Sequence, residues 1–561
     1  MVRPDLQRFR ADVRIMLEAM KWLLAFLFSV TLAEDPQPTP VILISIDTLR
    51  ADHLSAYGYR KIKTPNIDSF GGTIFTGANS QIPLTLPSHT SLFTSTYPFE
   101  NGIEENAEVV PAGTVTLASI LRSHGYKTAA FVGSNILDRR AGLDQGFEDY
   151  DSPFGAPSSN PYSSRVRRDG ALVIRAANAW LGAHRNQPVF VFVHLFDLHT
   201  PYKLKPAQAS NEPETTGYDA ELEYIDQLLG RFRQSLVENA WWKKSLVVLL
   251  ADHGESLGDH GELSHGYFIY ESTLHIPLMI HWPEGAPQLP DRVAEPAGLI
   301  DVAPTIVDAL HLPPAPSFDG ISLLHNGPHA IYSESVYARD SFRWAALRAL
   351  RVGNWKYIEA PHPELYDLTK DPREQSNLFR ANPSQAAALR AELSRLMAKH
   401  PRPQNPPAHD TSDATKRALG SLGYLTGGAR KAASNEDPKD RLAEYQMFDR
   451  ALDAMYSQRL DAAIRGFREI LARDKDNLAA RDTLGDAYMR AGKSEDAVRE
   501  WTAALALDPQ YAPAAQALGE HYLSVKDWER ARPYLQQALA AAPGDSTIRQ
   551  ELELVERNLR P

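Results

Sequence analysis

Thr85 lies in Pro83-Leu84-Thr85-Leu86-Pro87-Ser88-His89-Thr90, a hydroxyl flanked by prolines just ahead of a small-residue helical stretch. A threonine hydroxyl is a poor nucleophile at neutral pH, so covalent chemistry here requires a base or a metal ion that holds it as an alkoxide. The chain supplies the carboxylates and imidazoles such chemistry needs, each at the end of an apolar run. Val41–Ile46 leads into Asp47, Val189–Val193 into His194, Asp197 and His199, and Leu246–Leu250 into Asp252 and His253. A lone Asp-His pair after a strand more often caps a turn or helix. Acids and imidazoles recurring at three run ends point to a site.

Continuous Val/Ile/Leu/Phe runs separated by helical stretches predict an α/β fold whose mostly parallel sheet is covered on both faces. Ligands of such sheets bind beyond the carboxyl ends of the strands, where these polar residues fall. At 561 residues the chain exceeds one core, and ordinary domain sizes predict several units. Its 43% hydrophobic and 23% charged residues are those of a globular protein, and a net charge of −11 argues against a nucleic-acid partner. With no cysteine, disulfides, thiolate metal sites and a cysteine nucleophile are excluded.

Residues 20–33 read as a signal peptide: Met20-Lys21, a short apolar run from Trp22 to Leu32, and Thr31-Leu32-Ala33 as a small-residue cleavage site. The run is too short for a stable membrane span, and the expected location is secreted or periplasmic. The arginine-rich residues 1–19 sit awkwardly ahead of it, so the expected signal segment is 1–33 with Met20 as a candidate start.

From 40 to 400 the pattern alternates strand-like and helix-like segments, and short runs around Arg343 to Asn377 predict a small antiparallel sheet closing this domain. Lys356, in one of those runs, is expected to be exposed on a turn. Residues 401–440 turn rich in proline, glycine and polar residues and read as a linker. Beyond it Leu484, Gly485, Tyr488, Ala497, Trp501, Ala504 and Pro509 recur 34 residues on as Leu518, Gly519, Tyr522, Ala531, Leu535, Ala538 and Pro543. That period and residue pattern predict an all-α tetratricopeptide solenoid of three repeats with a closing helix, over 441–560. The polar linker predicts that the repeats are a separable scaffold for a protein or peptide partner.

Ile46-Asp47-Thr48-Leu49-Arg50-Ala51-Asp52, Thr64-Pro65-Asn66-Ile67-Asp68 and Ala251–Gly261, with Asp301-Val302-Ala303-Pro304-Thr305 and Glu364–Leu368, together resemble the motifs of the sulfatase branch of the alkaline phosphatase superfamily. The resemblance spans nearly all of 40–380 and implies an alkaline-phosphatase/sulfatase-like sandwich and a divalent-metal-dependent ester hydrolase. Such sulfatases use a cysteine or serine, converted to formylglycine; Thr85 occupies that place and cannot yield the same aldehyde. His89 replaces the arginine after the serine, Thr48 the second aspartate, and Ser134-Asn135 the lysine motif. Those positions are instead similar to the threonine-nucleophile members, the nucleotide pyrophosphatases and phosphodiesterases. Thr85 to His89 follows their T-x-P-x-H, Asn106 falls at their phosphate-contacting asparagine, and His265-Gly266-Tyr267 matches their H-G-Y.

The expected ligand set for one metal is Asp47, Asp252, His253 and the Thr85 oxygen, a mixture of oxygen and nitrogen that favours zinc or manganese, with calcium less suited. Asp197, His199 and His265 are expected either to hold a second ion or to bind the anion directly. His89 and Asn106 are expected at the substrate, His194 facing the core, and Glu255, Asp259 and His260 as outer or loop residues. The implied reaction is attack by Thr85 on a phosphate mono- or diester through a covalent phospho-enzyme. Sulfate-ester hydrolysis without formylglycine, phosphoryl transfer, or an inactive binding protein acting through its repeats are the alternatives.

Overall fold

The computed structural model describes residues 38–154, 166–202, 214–286, 289–325, 327, 329–403, 408–409, 419, 434–541 and 545–560; the signal segment with Met20 lies outside the described residues. Along the chain the strands are β1 (Val41–Ile46), β2 (Thr73–Asn79), β3 (Glu108–Val109), β4 (Lys127–Phe131), β5 (Asp149–Asp151), β6 (Val189–Leu195), β7 (Leu246–Leu250), β8 (Leu278–His281) and β9 (Arg292–Gly298). All but β3 form one eight-stranded sheet in the order β5-β4-β6-β1-β7-β8-β2-β9. Only β8 runs against its neighbours. Every residue of β1, β6 and β7 is buried, as unbroken apolar runs should be when both faces of a parallel sheet are covered.

The strand order positions the site. β1 lies between β6 and β7, with Ser45 level with His194 on one side and Leu250 on the other. The three predicted run ends therefore meet at one edge of the sheet. Helix α1 (Thr85–Thr94) is buried along its whole length and begins with Thr85. Helices α2 (Gly170–Ala183) and α3 (Glu214–Glu238) accompany the sheet, and α3 brings Tyr218 and Asp226 inward.

A second sheet, β10 (Ala330–Ser335), β11 (Leu347–Val352), β12 (Trp355–Glu359) and β13 (Glu364–Asp367), is antiparallel throughout in chain order. Helix α4 (Tyr337–Phe342) interrupts it, and α5 (Pro383–Lys399) packs Ala386, Leu389 and Leu393 against Leu350 and Tyr357. Lys356 departs from its expected place. It lies in β12 with 2% exposure, its Nζ 2.9 Å from Glu271 Oε1 and 2.8 Å from Glu374 Oε1. The short run around it is a strand covered on both sides, where a lysine is tolerated because carboxylates meet it.

The helical array consists of α6 (Leu442–Tyr456), α7 (Leu460–Arg473), α8 (Leu478–Arg490), α9 (Ser494–Leu507), α10 (Ala512–Ser524), α11 (Trp528–Ala541) and α12 (Ser546–Leu559). The 34-residue interval separates Leu478 from Ala512 and Ser494 from Trp528, the starts of successive helix pairs. The matched glycines have a packing reason: a Cβ on Gly485 would lie 2.3 Å from Trp501 Nε1, and one on Gly519 2.6 Å from a Leu535 methyl.

The array is not the loosely tethered body its polar approach suggested. Arg402 pairs with Glu104 through both Nη atoms, and β14 (Ala408–His409) joins β3. Leu419 is buried in the main core. Asp437 accepts from the His362 amide at 2.8 Å, and Lys439 reaches Glu364 at 2.6 Å. Tyr445 of α6 is buried in a cluster with Tyr267, Tyr270, Tyr337 and Trp344. Linker composition concealed these anchors because each is one or two residues set in polar sequence.

Replacing Lys356 with alanine strands Glu271 and Glu374 without their buried cation, and breaking such a pair costs about 3–5 kcal/mol. Thermal denaturation of Lys356→Ala is expected to show a clear fall in Tm; an unchanged Tm would return Lys356 to a solubilising surface role.

Candidate active site

Asp47 continues β1 by one residue, its amide donating to the Leu195 carbonyl at 2.9 Å. Thr48 then takes a left-handed conformation, φ +58°, which costs a residue with a branched Cβ about 1–3 kcal/mol. Its neighbours over-determine that turn. Thr48 N–H donates to Asp252 Oδ1 at 3.3 Å, Thr48 Oγ1 to the Asp47 carbonyl at 2.8 Å, and Tyr218 OH to the Thr48 carbonyl at 2.8 Å, while Arg50 N–H donates to the same Tyr218 oxygen. The strained turn aims Asp47 at Asp252 rather than along the strand.

Asp47, Asp252 and His253 are fully buried and offer ligand atoms that all lie within 4.8 Å of one another. Two carboxylates at that separation repel by about 3.5 kcal/mol at an effective dielectric of about 20. Burial pushes the Asp47 carboxyl well above its ordinary range, and burial together with the Asp47 charge does the same to Asp252. Asp47 Oδ1, Asp252 Oδ2 and His253 Nε2 have no hydrogen-bond partner. His253 Nδ1–H donates to the Gly254 carbonyl at 3.0 Å, which leaves Nε2 as a bare acceptor turned to the carboxylates, 3.4 Å from Asp252 Oδ2. Such a tautomer, fixed by a carbonyl behind the ring, is that of a metal-ligating histidine. Buried orphan acceptors converging on one point fit a divalent cation.

Thr85 meets this group. Its Oγ1 donates to Asp47 Oδ2 at 3.3 Å, and its position at the first turn of α1 places it in the positive end of that helix. Asn106 Oδ1 accepts from the Leu86 amide at 2.9 Å, and Asn106 Nδ2 is buried with no partner beside the same helix start, a donor suited to an oxyanion. His89 differs from its expected place at the substrate. Its Nδ1–H donates to the Thr85 carbonyl at 2.7 Å and its Nε2 accepts from Ser45 Oγ at 2.9 Å. With both ring nitrogens engaged, His89 fixes the Thr85 turn from beneath.

The residues expected as a second ligand group divide. Asp197 accepts from the Gly170 amide with both oxygens, at 3.2 and 3.0 Å, and so serves the N-terminus of α2. His199 Nδ1–H donates to the Thr200 carbonyl at 2.5 Å, and its ring lies edge-on to His265, centroids 5.1 Å apart. His265 lies 4.4 Å from His253 by ring centroids, and its Nδ1 is 3.0 Å from Glu255 Oε1. Among the described residues Asp197, His199 and His265 do not form a ligand set of the kind Asp47, Asp252 and His253 make. His199 and His265 therefore join the site as imidazoles, and burial holds His265 down at about 3.

Sequence reasoning missed two contributors. His194 was expected to face the core. Gly133 N–H donates to its Nδ1 at 3.4 Å, leaving Nε2–H to donate to Asp47 Oδ2 at 3.3 Å. The signal was its position, level with Ser45 and two residues short of Asp47 across the β1–β6 register. Arg167, whose charge works against the burial that raises the Asp47 carboxyl, donates to the carbonyls of His199, Thr200 and Pro201; no local pattern marks it. Glu255 takes the outer place expected of it, backing His265 at 3.0 Å, and burial pushes its carboxyl up to about 8. Asp259 and His260 do lie outward: Asp259 pairs with Arg50 at 2.9 Å, and His260 stacks on Tyr270.

If the orphan acceptors hold a cation, Asp252→Asn should lower bound metal and turnover together, with excess zinc or manganese partly restoring turnover. Metal analysis paired with kinetics checks this; full metal content with full activity would remove Asp252 from the ligand set.

Residues 39–312 match the Sulfatase family model, and 258–402 match the model of the N-sulphoglucosamine sulphohydrolase C-terminal region. The chain is 22% identical over 447 residues to Arylsulfatase K of Bos taurus, covering 64% of this chain and 82% of that protein. Among solved structures, Ps i-CgsB in complex with k-i-k-neocarrahexaose superposes with a TM-score of 0.55 at 19% identity, over 68% of this chain and 96% of that one. The phosphonate monoester hydrolase of Agrobacterium radiobacter gives 0.53 at 21% identity, over 65% and 96%. The acidic-histidine cluster at the ends of β1 and β7, the buried hydroxyl facing it and both matched regions agree: this chain carries a sulfatase-family domain, an ester hydrolase of the alkaline phosphatase/sulfatase superfamily.

Proposed function

We propose that Thr85 is the nucleophile of a metal-dependent hydrolase that cleaves phosphate mono- or diesters. The observation that carries this reading is the placement of Thr85 Oγ1 at the first turn of a buried helix, 3.3 Å from Asp47 Oδ2 and beside the unpartnered Nδ2 of Asn106. A cation held by Asp47, Asp252 and His253 would supply Lewis-acid stabilisation of the threonine alkoxide and of the charge developing on the ester. The chain's own groups do the rest. Thr85 Oγ1 passes its proton to Asp47 Oδ2, the oxygen it already hydrogen-bonds, and forms a bond to phosphorus. The bond from phosphorus to the leaving alcohol breaks, its oxygen keeping the electron pair and taking a proton from solvent. Water then attacks phosphorus, breaking its bond to Thr85 Oγ1, which recovers a proton as phosphate leaves. Asn106 Nδ2 donates to a non-bridging oxygen. His194 Nε2–H steadies Asp47, His89 fixes the carbonyl of Thr85, and His199 and His265 present imidazoles to the ester oxygens.

Sulfate-ester hydrolysis is the second reading, and it rests on the relatives, which include Arylsulfatase K. The residue at 85 weighs against it. Threonine offers no hydrated aldehyde, so a sulfo-threonine has no hemiacetal route for release, whereas a phosphothreonine is opened by attack at phosphorus. The repeats at 441–560 fit a tetratricopeptide surface for a peptide or protein segment, and the apolar run after Met20 fits export to the periplasm or beyond.

A panel of aryl phosphate, phosphodiester, phosphonate and sulfate substrates tests the choice. Phosphorus esters are expected to be turned over with the larger kcat/KM, and a clear preference for aryl sulfate would transfer the assignment to the second reading. In the same assay Thr85→Ala should lose about 10³-fold or more in kcat while keeping its metal, and Asn106→Ala should lose about 10²-fold. Undiminished turnover by Thr85→Ala would rule out the nucleophile.

A further inference from the structure

The segment that carries His265 is held from two sides, and one of them is the helical array. After His253 the chain passes through Glu255 and a turn at Ser256–Glu262 before returning with His265, Gly266 and Tyr267. Gly266 has φ +100°, and a Cβ there would lie 3.2 Å from a methyl of Leu84, the residue before Thr85. His265 thus sits on a left-handed hinge pressed against the start of α1. On the other side the Tyr267 ring stacks on Tyr445 of α6, centroids 4.1 Å apart and planes 9° from parallel. Tyr267 OH donates to the Pro438 carbonyl at 2.7 Å, and the Tyr267 and Phe268 amides donate to Glu262 at 2.8 and 3.2 Å. Gln446 Nε2 donates to the Gly261 carbonyl at 2.7 Å, and Leu442 closes so tightly on Gly261 that a Cβ would lie 2.6 Å from its methyl. Both ends of the loop, Gly261 and Tyr267, are therefore fixed by consecutive turns of α6. A glycine hinge beside an imidazole gains freedom when its far anchor is removed.

We propose that α6 belongs to the catalytic unit and that Tyr445 is a positioning residue, acting through Tyr267 to hold His265 against the site. The inference rests on the reading of His265 as an imidazole facing the ester. It assigns the first helix of the array a part in ester hydrolysis that a detachable scaffold would not have.

The test uses the full chain and whichever ester of the panel it turns over. Misplacement of a catalytic contact by an ångström costs about 10²-fold, and Tyr445→Ala is expected to lower kcat by about that much, with Tyr445→Phe, which keeps the stacked ring, restoring it to within about twofold. Gln446→Ala should show a smaller loss in the same direction, and it carries the test if Tyr445→Ala fails to fold. Two groups acting as one unit are non-additive, so Tyr445→Ala combined with His265→Ala should lose no more than His265→Ala alone. Val525→Ser, an exposed position on the distal part of the array, should leave turnover unchanged. A silent Tyr445→Ala beside a crippled His265→Ala would overturn the inference alone, as would losses that multiply in the double variant. A silent His265→Ala would overturn the reading of the site and the inference with it.

Discussion

Two carboxylates buried side by side govern this structure. Asp47 and Asp252 project from adjacent strands into a space with no exposure and no hydrogen-bond partner for one oxygen of each. Ionised and unpaired, they would be strongly destabilising, since desolvating a single charge costs several kcal/mol even after relaxation. The groups around them answer that constraint in graded fashion: a Thr48 amide and a His253 amide on Asp252, a histidine and a threonine hydroxyl on Asp47. These neutral donors soften the repulsion without removing it, and the orphaned atoms converge with His253 Nε2 where a divalent cation fits. The left-handed Thr48 and the Tyr218 clamp are part of the same arrangement, because the carboxylates meet only if the chain leaves β1 in that turn.

Placing Thr85 on a helix start exploits the same field. The amide ends of α1 point toward the cluster, and Pro87 in its first turn contributes no N–H to satisfy. Asn106 takes the Leu86 amide and turns its own Nδ2 to the site. The hydroxyl thus sits where negative charge is favoured by the helix and a buried amide, while His89 and Ser45 lock the turn from below. Nothing in this arrangement depends on a cysteine, and the chain has none.

Much of this was legible because strand ends in a parallel sheet are marked in sequence by the switch from apolar run to polar residue. Asp47, Asp252 and His253 follow such switches, and the proline-flanked Thr85 announces its own turn. His194 also follows its apolar run, but alternation along a strand left it facing the core, and only the β1–β6 register brings it beside Asp47. Arg167 and Tyr218 come from distant segments and meet the site through tertiary packing. Lys356 was misjudged because its partners, Glu271 and Glu374, lie far along the chain on either side. The helical array was visible in its 34-residue period, but its attachment was not. That attachment depends on Tyr445 stacking on Tyr267, and a tyrosine on the apolar face of an amphipathic helix carries no sequence signal of which partner it meets.

The central claim is that the ester's acid group passes through Thr85. Rapid-quench turnover of an aryl phosphate, followed by peptide mass spectrometry, tests it most directly. The account predicts that one phosphoryl group appears on the peptide containing Thr85, at a rate at least equal to turnover, and decays as product forms. Turnover at full rate with that peptide unmodified throughout would contradict it, and would leave Thr85 as a residue that shapes the site without entering the reaction.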